Sequence, residues 1–172
     1  MLILVGYAGS GKSSLAKRLS KALRVGYVDT DTLVEQSEGA TIADIFHYEG
    51  EEYFRRSERE VLDRLVADNY DGIVATGGGL PTWEDNMERL NSMGTTIYLQ
   101  RSPEQILSRL SAYGREKRPM FRGKSDEELL SFMQEHIAQR EPYYAKAHIV
   151  VDCNTMSDER VVNYIIERVQ RV

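Results

Sequence analysis

The segment Gly6-Tyr7-Ala8-Gly9-Ser10-Gly11-Lys12-Ser13 constrains this chain more than any other. It satisfies the pattern G-x-x-x-x-G-K-[ST], in which glycines let successive backbone N–H groups turn inward and cradle phosphate oxygens. In that pattern the lysine, here Lys12, reaches the β- and γ-phosphates, and the hydroxyl of Ser13 can ligate Mg²⁺. Such a loop works between a buried strand and a helix N-terminus, where free N–H groups and the helix dipole favour an anion. Both flanks are legible. The apolar run 1–5 reads as a strand, and Leu15, Leu19, Ala22 and Leu23 mark one face of a following helix.

Four more runs, 25–28, 72–76, 95–99 and 148–152, read as strands rich in β-branched and aromatic residues. Helical patterns separate them. Alternating strands and helices predict an α/β fold with right-handed crossovers and a parallel sheet covered on both faces. Ser102-Pro103-Glu104-Gln105 and Ser125-Asp126-Glu127-Glu128 read as helix starts with capping boxes. Ser157 can cap a last helix whose apolar face is Val161, Val162, Ile165, Ile166 and Val169. Region 31–69 is longer than one crossover helix requires and reads as two or three helices punctuated by Gly39 and Gly50. Such an insertion usually builds a substrate site on a nucleotide core. With 172 residues and no linker or repeat, a single domain 1–172 is expected, with a substrate-binding subregion at about 31–69 and a lid at about 111–124.

Bulk properties exclude several classes. There are 22 basic and 27 acidic residues, and the net charge of −5 argues against a general nucleic-acid binder. No apolar run approaches the roughly 20 residues of a membrane span. The first strand begins at Met1, which on this reading leaves no room for a signal peptide. Cys153 is the sole cysteine and reads as a small buried hydrophobe, so a reducing cytoplasm is expected. The small domain, without an obvious apolar stripe, favours a monomer. His47, His136 and His148 share no metal-ligand spacing and read as structural or surface residues.

Other clusters carry chemistry. Asp29 and Asp31 follow the second strand, at the sheet end where ligands sit. One can orient the hydration shell of Mg²⁺ and the other can face an acceptor hydroxyl, or the pair can be an N-cap and a turn aspartate. Gly77-Gly78-Gly79 ends the third strand, which makes sense where main chain must approach a ligand closely. Arg55 suits a carboxylate as a planar fork, and Glu58 at i+3 can orient it. The stretch from Gly114 to Lys124 is strongly basic, the makeup of a mobile lid that delivers positive charge to a transferring phosphoryl group, with Arg118 the first choice for that role. Arg140 is expected to end the helix after the lid, as a ligand-facing arginine or as a cap on the last carbonyls.

In this order these elements resemble the shikimate kinases. The resemblance rests on Gly6–Ser13, Asp29-Thr-Asp31, Ile42-Ala-Asp-Ile-Phe46, Gly50, Phe54-Arg55-Arg56, Gly77-Gly78-Gly79, Arg118-Pro119 and Arg140-x-Pro142-x-Tyr144, and spans nearly the whole chain. It implies a three-layer P-loop kinase fold of the nucleoside-monophosphate-kinase type, with a five-stranded parallel sheet in the order 2-3-1-4-5. It implies transfer of the ATP γ-phosphoryl group to the 3-hydroxyl of shikimate, on the route to chorismate and the aromatic amino acids, with Mg²⁺ as cofactor. Carried onto matching positions, Gly9, Ser10, Gly11, Lys12, Ser13 and Ser14 would bind ATP, with Arg118 on the phosphates and Arg109 stacked on adenine. Lys12, Asp31 and Arg118 would be catalytic. Arg55 and Arg140 would bind the shikimate carboxylate, Asp31 its ring hydroxyls, and Gly77, Gly78 and Gly79 would close on it through backbone contacts. Ser13 would bind Mg²⁺ directly and Asp29 through water. One segment departs from the pattern. Many relatives carry a basic residue near a proline after the last strand, to help hold adenine, where this chain has Val151-Asp-Cys-Asn-Thr-Met156.

Overall fold

Strand β1 (Leu2–Val5) places Ile3, Leu4 and Val5 out of contact with water, Ile3 and Val5 in one apolar cluster and Leu4 in another. Alternation along a strand sends neighbours to opposite faces, so a strand apolar at every position needs cover on both sides. The sheet supplies it. In this computed structural model, which describes residues 1–116 and 118–170, five parallel strands run in the order β2-β3-β1-β4-β5. The others are β2 (Tyr27–Asp29), β3 (Ile73–Ala75), β4 (Thr95–Gln100) and β5 (Ile149–Asp152). Register is fixed at the centre by Ile3 beside Val74 and Leu4 beside Ile97.

Helix α1 (Lys12–Leu23) leaves the glycine loop and covers one face together with α9 (Asp158–Val169), burying Leu15, Ala16 and Leu19 against Val161 and Ile165. Ala22, expected in that stripe, is exposed, and Leu23 is half-buried. Twelve helical residues rise about 18 Å, whereas a four-residue strand spans about 13 Å, so the last turn overshoots the sheet. Strand β2 starts two residues later than expected. Arg24 takes a left-handed conformation (φ 58°) and the Val25 N–H donates to Ser20 O, so Val25 belongs to the helix end.

The insertion resolves into α2 (Thr30–Glu38), α3 (Ile42–Tyr48) and α4 (Gly50–Ala67). They pack on the other face around Ile45, Phe54, Val61 and Leu62. Beyond β3 a single 3₁₀ turn, Leu80–Thr82, leads to α5 (Asn86–Met93). After β4 come α6 (Pro103–Arg109), α7 (Ala112–Glu116) and α8 (Asp126–Tyr144). Side chains cap α6, α8 and α9 from Ser102, Ser125 and Ser157, and at α8 the box with Glu128 is complete. Gly114 and Arg115, within the expected lid, lie in α7. One expectation is corrected: Arg140 does not end its helix, because α8 continues through Pro142 to Tyr144. No helix among the described residues is long and apolar enough to cross a membrane.

Candidate active site

The glycine loop bridges β1 and α1 at the carboxyl end of the sheet. Gly9 (φ 84°) and Gly11 (φ 96°) occupy left-handed backbone that side chains resist, which turns the N–H groups inward. The Lys12 ammonium lies within the loop, donating to the carbonyls of Gly6 at 2.7 Å and Tyr7 at 2.8 Å. An ammonium has three donors, so a further N–H can serve a phosphate oxygen. Burial lowers the Lys12 pKa to about 8, against the opposing pull of Asp31 and Asp29. Ser10 Oγ is buried without a partner among the described residues.

Asp29 is the helix cap that its position allowed, and it also meets Ser13. Its Oδ1 accepts from the Asp31 N–H and caps α2, and its Oδ2 accepts from Ser13 Oγ at 2.5 Å. A hydroxyl and a carboxylate in contact beside a phosphate loop suit Mg²⁺, which prefers hard oxygen ligands and keeps several waters rather than an all-protein cage. Among the described residues no group of three or more His, Cys, Asp or Glu forms such a cage. Asp31 lies two residues on, in the first turn of α2. Burial raises its pKa to about 6, with Asp29 adding to the effect and Lys12 opposing it.

The three glycines are explained by what lies against them. A methyl on Gly77 would strike Asp31 Oδ1 and lie 2.8 Å from Glu58 Oε1. One on Gly78 would lie 2.9 Å from the backbone N of Ala8 in the phosphate loop, and one on Gly79 would lie 2.6 Å from Arg55 Nη1. Real Cβ contacts do not come that close, so this turn holds acidic, phosphate-loop and guanidinium groups in one place because it has no side chains. Thr30 Oγ1 accepts from Gly77 N–H at 2.9 Å, and Tyr144 donates to Gly78 O at 2.6 Å. Both lock the turn from outside.

Arg55 and Glu58 form the expected pair at 2.6 Å, both buried, and Glu51 accepts from Arg55 at 3.0 Å. Burial pushes Glu58 up to about 7 although Arg55 pulls the other way. Arg140 lies over the Tyr7 ring at 5.9 Å, and its buried Nη1 has no partner among the described residues. No helix-end carbonyl occupies it, so that donor is free for an anion. Within the segment expected to form a lid, Phe121 is fully buried and packs on Tyr7 with ring centroids 6.3 Å apart. Arg118 is partly buried, donates to Gly114 O at 2.5 Å, and is pushed down by burial while the charge of Asp31 opposes the shift. Lys117, within the expected lid, lies outside the described residues. Lys12 feels the charges of Asp31, Asp29, Arg118 and Arg140, and the turn at Gly77–Gly79 touches Asp31 and Arg55, so these groups cluster beside the phosphate loop.

Arg109 stands apart on the donor side, ion-paired to Asp158 at 2.8 Å. Sequence reasoning missed Arg101, which is buried and donates to Ser10 O, Cys153 O and Asp158. The available signal was its place immediately after a strand's carboxyl end. It also missed Tyr144 as the clamp on Gly78. His136 Nδ1 lies 2.8 Å from Tyr7 Oη, and His148 Nδ1 lies 3.1 Å from Thr96 Oγ1. Cys153 is buried, with Sγ 3.4 Å from Val151 O.

Comparison with known proteins agrees with this fold. The family model for shikimate kinase matches residues 8–170. A shikimate kinase of Parabacteroides distasonis is 38% identical over 171 residues, covering 99% of this chain and 98% of the relative. The crystal structure of shikimate kinase from Bacteroides thetaiotaomicron superposes with a TM-score of 0.86 at 31% identity, covering 99% of this chain and 96% of the other. The shikimate kinase of Acinetobacter baumannii, solved in complex with shikimate, gives a TM-score of 0.86 at 30% identity, covering 99% and 92%.

Proposed function

This chain belongs to the shikimate kinase family, its activity is the ATP-dependent phosphorylation of shikimate, and we propose how its residues divide that work. Lys12, with the backbone of Gly9–Ser14, grips the triphosphate. Ser13 would ligate Mg²⁺ and Asp29 would hold its water shell; the metal would supply charge neutralisation to the transferring phosphoryl group. Arg55 and Arg140 take the carboxylate of shikimate, and Gly77–Gly79 face its ring through main-chain groups. Asp31 accepts or orients the proton of the 3-hydroxyl as that oxygen bonds to the γ-phosphorus and the bond to the β-phosphate bridge breaks. An ionised Asp31 contributes about 10²–10⁴-fold as a base. Arg118 brings a guanidinium to the phosphates from the lid, and Arg109 stacks on adenine.

The observation that carries this reading is the glycine turn. Asp31 and Arg55 press on it at distances that leave no room for a methyl, while its third contact is the phosphate loop itself. That geometry supports a pocket for a small polyhydroxylated carboxylate set against a nucleotide. We further propose a single domain whose substrate-binding part is about 31–69 and whose lid is about 111–124, acting as a cytoplasmic monomer on small molecules rather than on nucleic acid or membrane. The lone, buried Cys153 and the net charge of −5 support that setting. A coupled ADP-release assay with Mg-ATP against shikimate, gluconate and nucleoside monophosphates tests the assignment. Turnover with shikimate is expected, and its absence would overturn it.

A further inference from the structure

Arg101 is 4% exposed and begins the segment after β4. A buried guanidinium is tolerated only when its donors are matched, and here a rigid fork meets three acceptors on three separate segments. Nε donates to Ser10 O of the phosphate loop at 2.9 Å, Nη1 to Cys153 O after β5 at 3.0 Å, and Nη2 to Asp158 Oδ1 on α9 at 3.0 Å. The remaining oxygen of Asp158 accepts from Arg109 Nη2 at 2.8 Å. That nitrogen lies 3.6 Å from where a methyl on Gly11 would stand, at the mouth of the phosphate loop. Nearby, Asn154 Oδ1 accepts from the Ser102 N–H at 2.7 Å, tying the segment after β5 to the start of α6.

We infer that Asp158 and Arg101 are positioning residues for the nucleotide, fixing Arg109 at the phosphate-loop mouth in place of the basic residue absent from 153–156. The inference rests on the reading of Arg109 as the residue that stacks on the base. Arg109 is held by its edge, and its side chain is 34% exposed, so a guanidinium face stays open to a π-system. An arginine already held in place loses less freedom when the base arrives. Arg101 transmits the same restraint to Ser10 O, so base and phosphate subsites keep a fixed spacing.

The test is a double-mutant cycle on the full chain, reading KM for ATP and KM for shikimate separately, with a thermal melt of each variant. Asp158→Asn should raise KM for ATP about three- to tenfold, and leave KM for shikimate within about twofold. In an Arg109→Ala background the effect of Asp158→Asn should shrink to the part that passes through Arg101 to Ser10 O, because one of the two partners it positions is gone. Arg101→Lys keeps the charge but not the fork, and should give the same selective rise in KM for ATP. It is the second variant if Asp158→Asn does not fold. Additive effects of Asp158→Asn and Arg109→Ala, or equal rises in both KM values, overturn the inference while leaving Arg109 its role. If Arg109→Ala alone leaves KM for ATP unchanged, the stacking role itself fails and the inference falls with it.

Discussion

Gly79→Ala separates a steric requirement of the site from a backbone requirement of the fold. Gly79 has φ −87° and ψ −20°, a conformation open to alanine. Restricting the unfolded chain would then stabilise the protein by about 0.4–1 kcal/mol. The new methyl, however, would stand 2.6 Å from Arg55 Nη1 and closer still to Nη2, and ordinary contact begins near 3.4 Å, so the guanidinium must retreat by about 1 Å. Arg55 cannot swing away freely, because Glu58 holds it at 2.6 Å and Glu51 at 3.0 Å. A misplacement near 1 Å costs up to about 10²-fold in a positioned reaction. The expected result is a fall in kcat/KM for shikimate of about 10–100-fold, equivalent to about 1.4–2.7 kcal/mol. KM for ATP should stay within about twofold, and the melting temperature within about 5 °C. Steady-state kinetics with each substrate varied, beside a calorimetric melt, decide it. Unchanged kcat/KM for shikimate in a folded variant would refute the close packing of Arg55 on this turn.

Asp31, pushed up to about 6, should place an acid limb near pH 6 in kcat/KM for shikimate, and Asp31→Asn should remove that limb with most of the activity. Its native pKa lies above the ordinary 3.8, so the native state holds the extra proton and the contribution of Asp31 to stability falls as pH rises from about 4 to about 6; urea melts of Asp31→Asn should lose that slope. Lys12→Ala should cut kcat by about 10²–10³-fold or more while acceptor affinity changes little, which single-turnover kinetics and shikimate titration can separate. Arg140→Ala should raise KM for shikimate about 10–100-fold, as expected for losing a charge-assisted hydrogen bond. A melt within about 3 °C of the parent is also expected, since the buried Nη1 has no partner among the described residues.

What was legible in the sequence was local or repeated. The pattern of strand, glycine loop and helix at Gly6–Ser13, the caps at Ser102, Ser125 and Ser157, and the Arg55–Glu58 pair all lie within one helical turn or one loop, where spacing alone fixes who meets whom. Strand order came from the family resemblance rather than from periodicity. Arg101 was invisible because its partners, Ser10, Cys153 and Asp158, lie 91, 52 and 57 residues away and meet it only where strand ends converge. Arg140 was misplaced at a helix end because proline usually stops a helix. Here Pro142 lies within α8, and the chain turns only after Tyr144, which is needed to reach Gly78.

The glycine turn also gathers buried charges that burial alone disfavours. Burial pushes Lys12 down to about 8, Asp31 up to about 6 and Glu58 up to about 7, so each ionises at a cost that its neighbours offset. A side chain on Gly77 would force Asp31 and Glu58 apart from the turn, and one on Gly79 would push Arg55 off it. Small residues at the end of β3 are therefore a steric requirement: they let Asp31, Glu58 and Arg55 stand against one turn, where Lys12 and Arg55 pull Asp31 and Glu58 toward their ionised forms while burial and neighbouring carboxylates pull the other way.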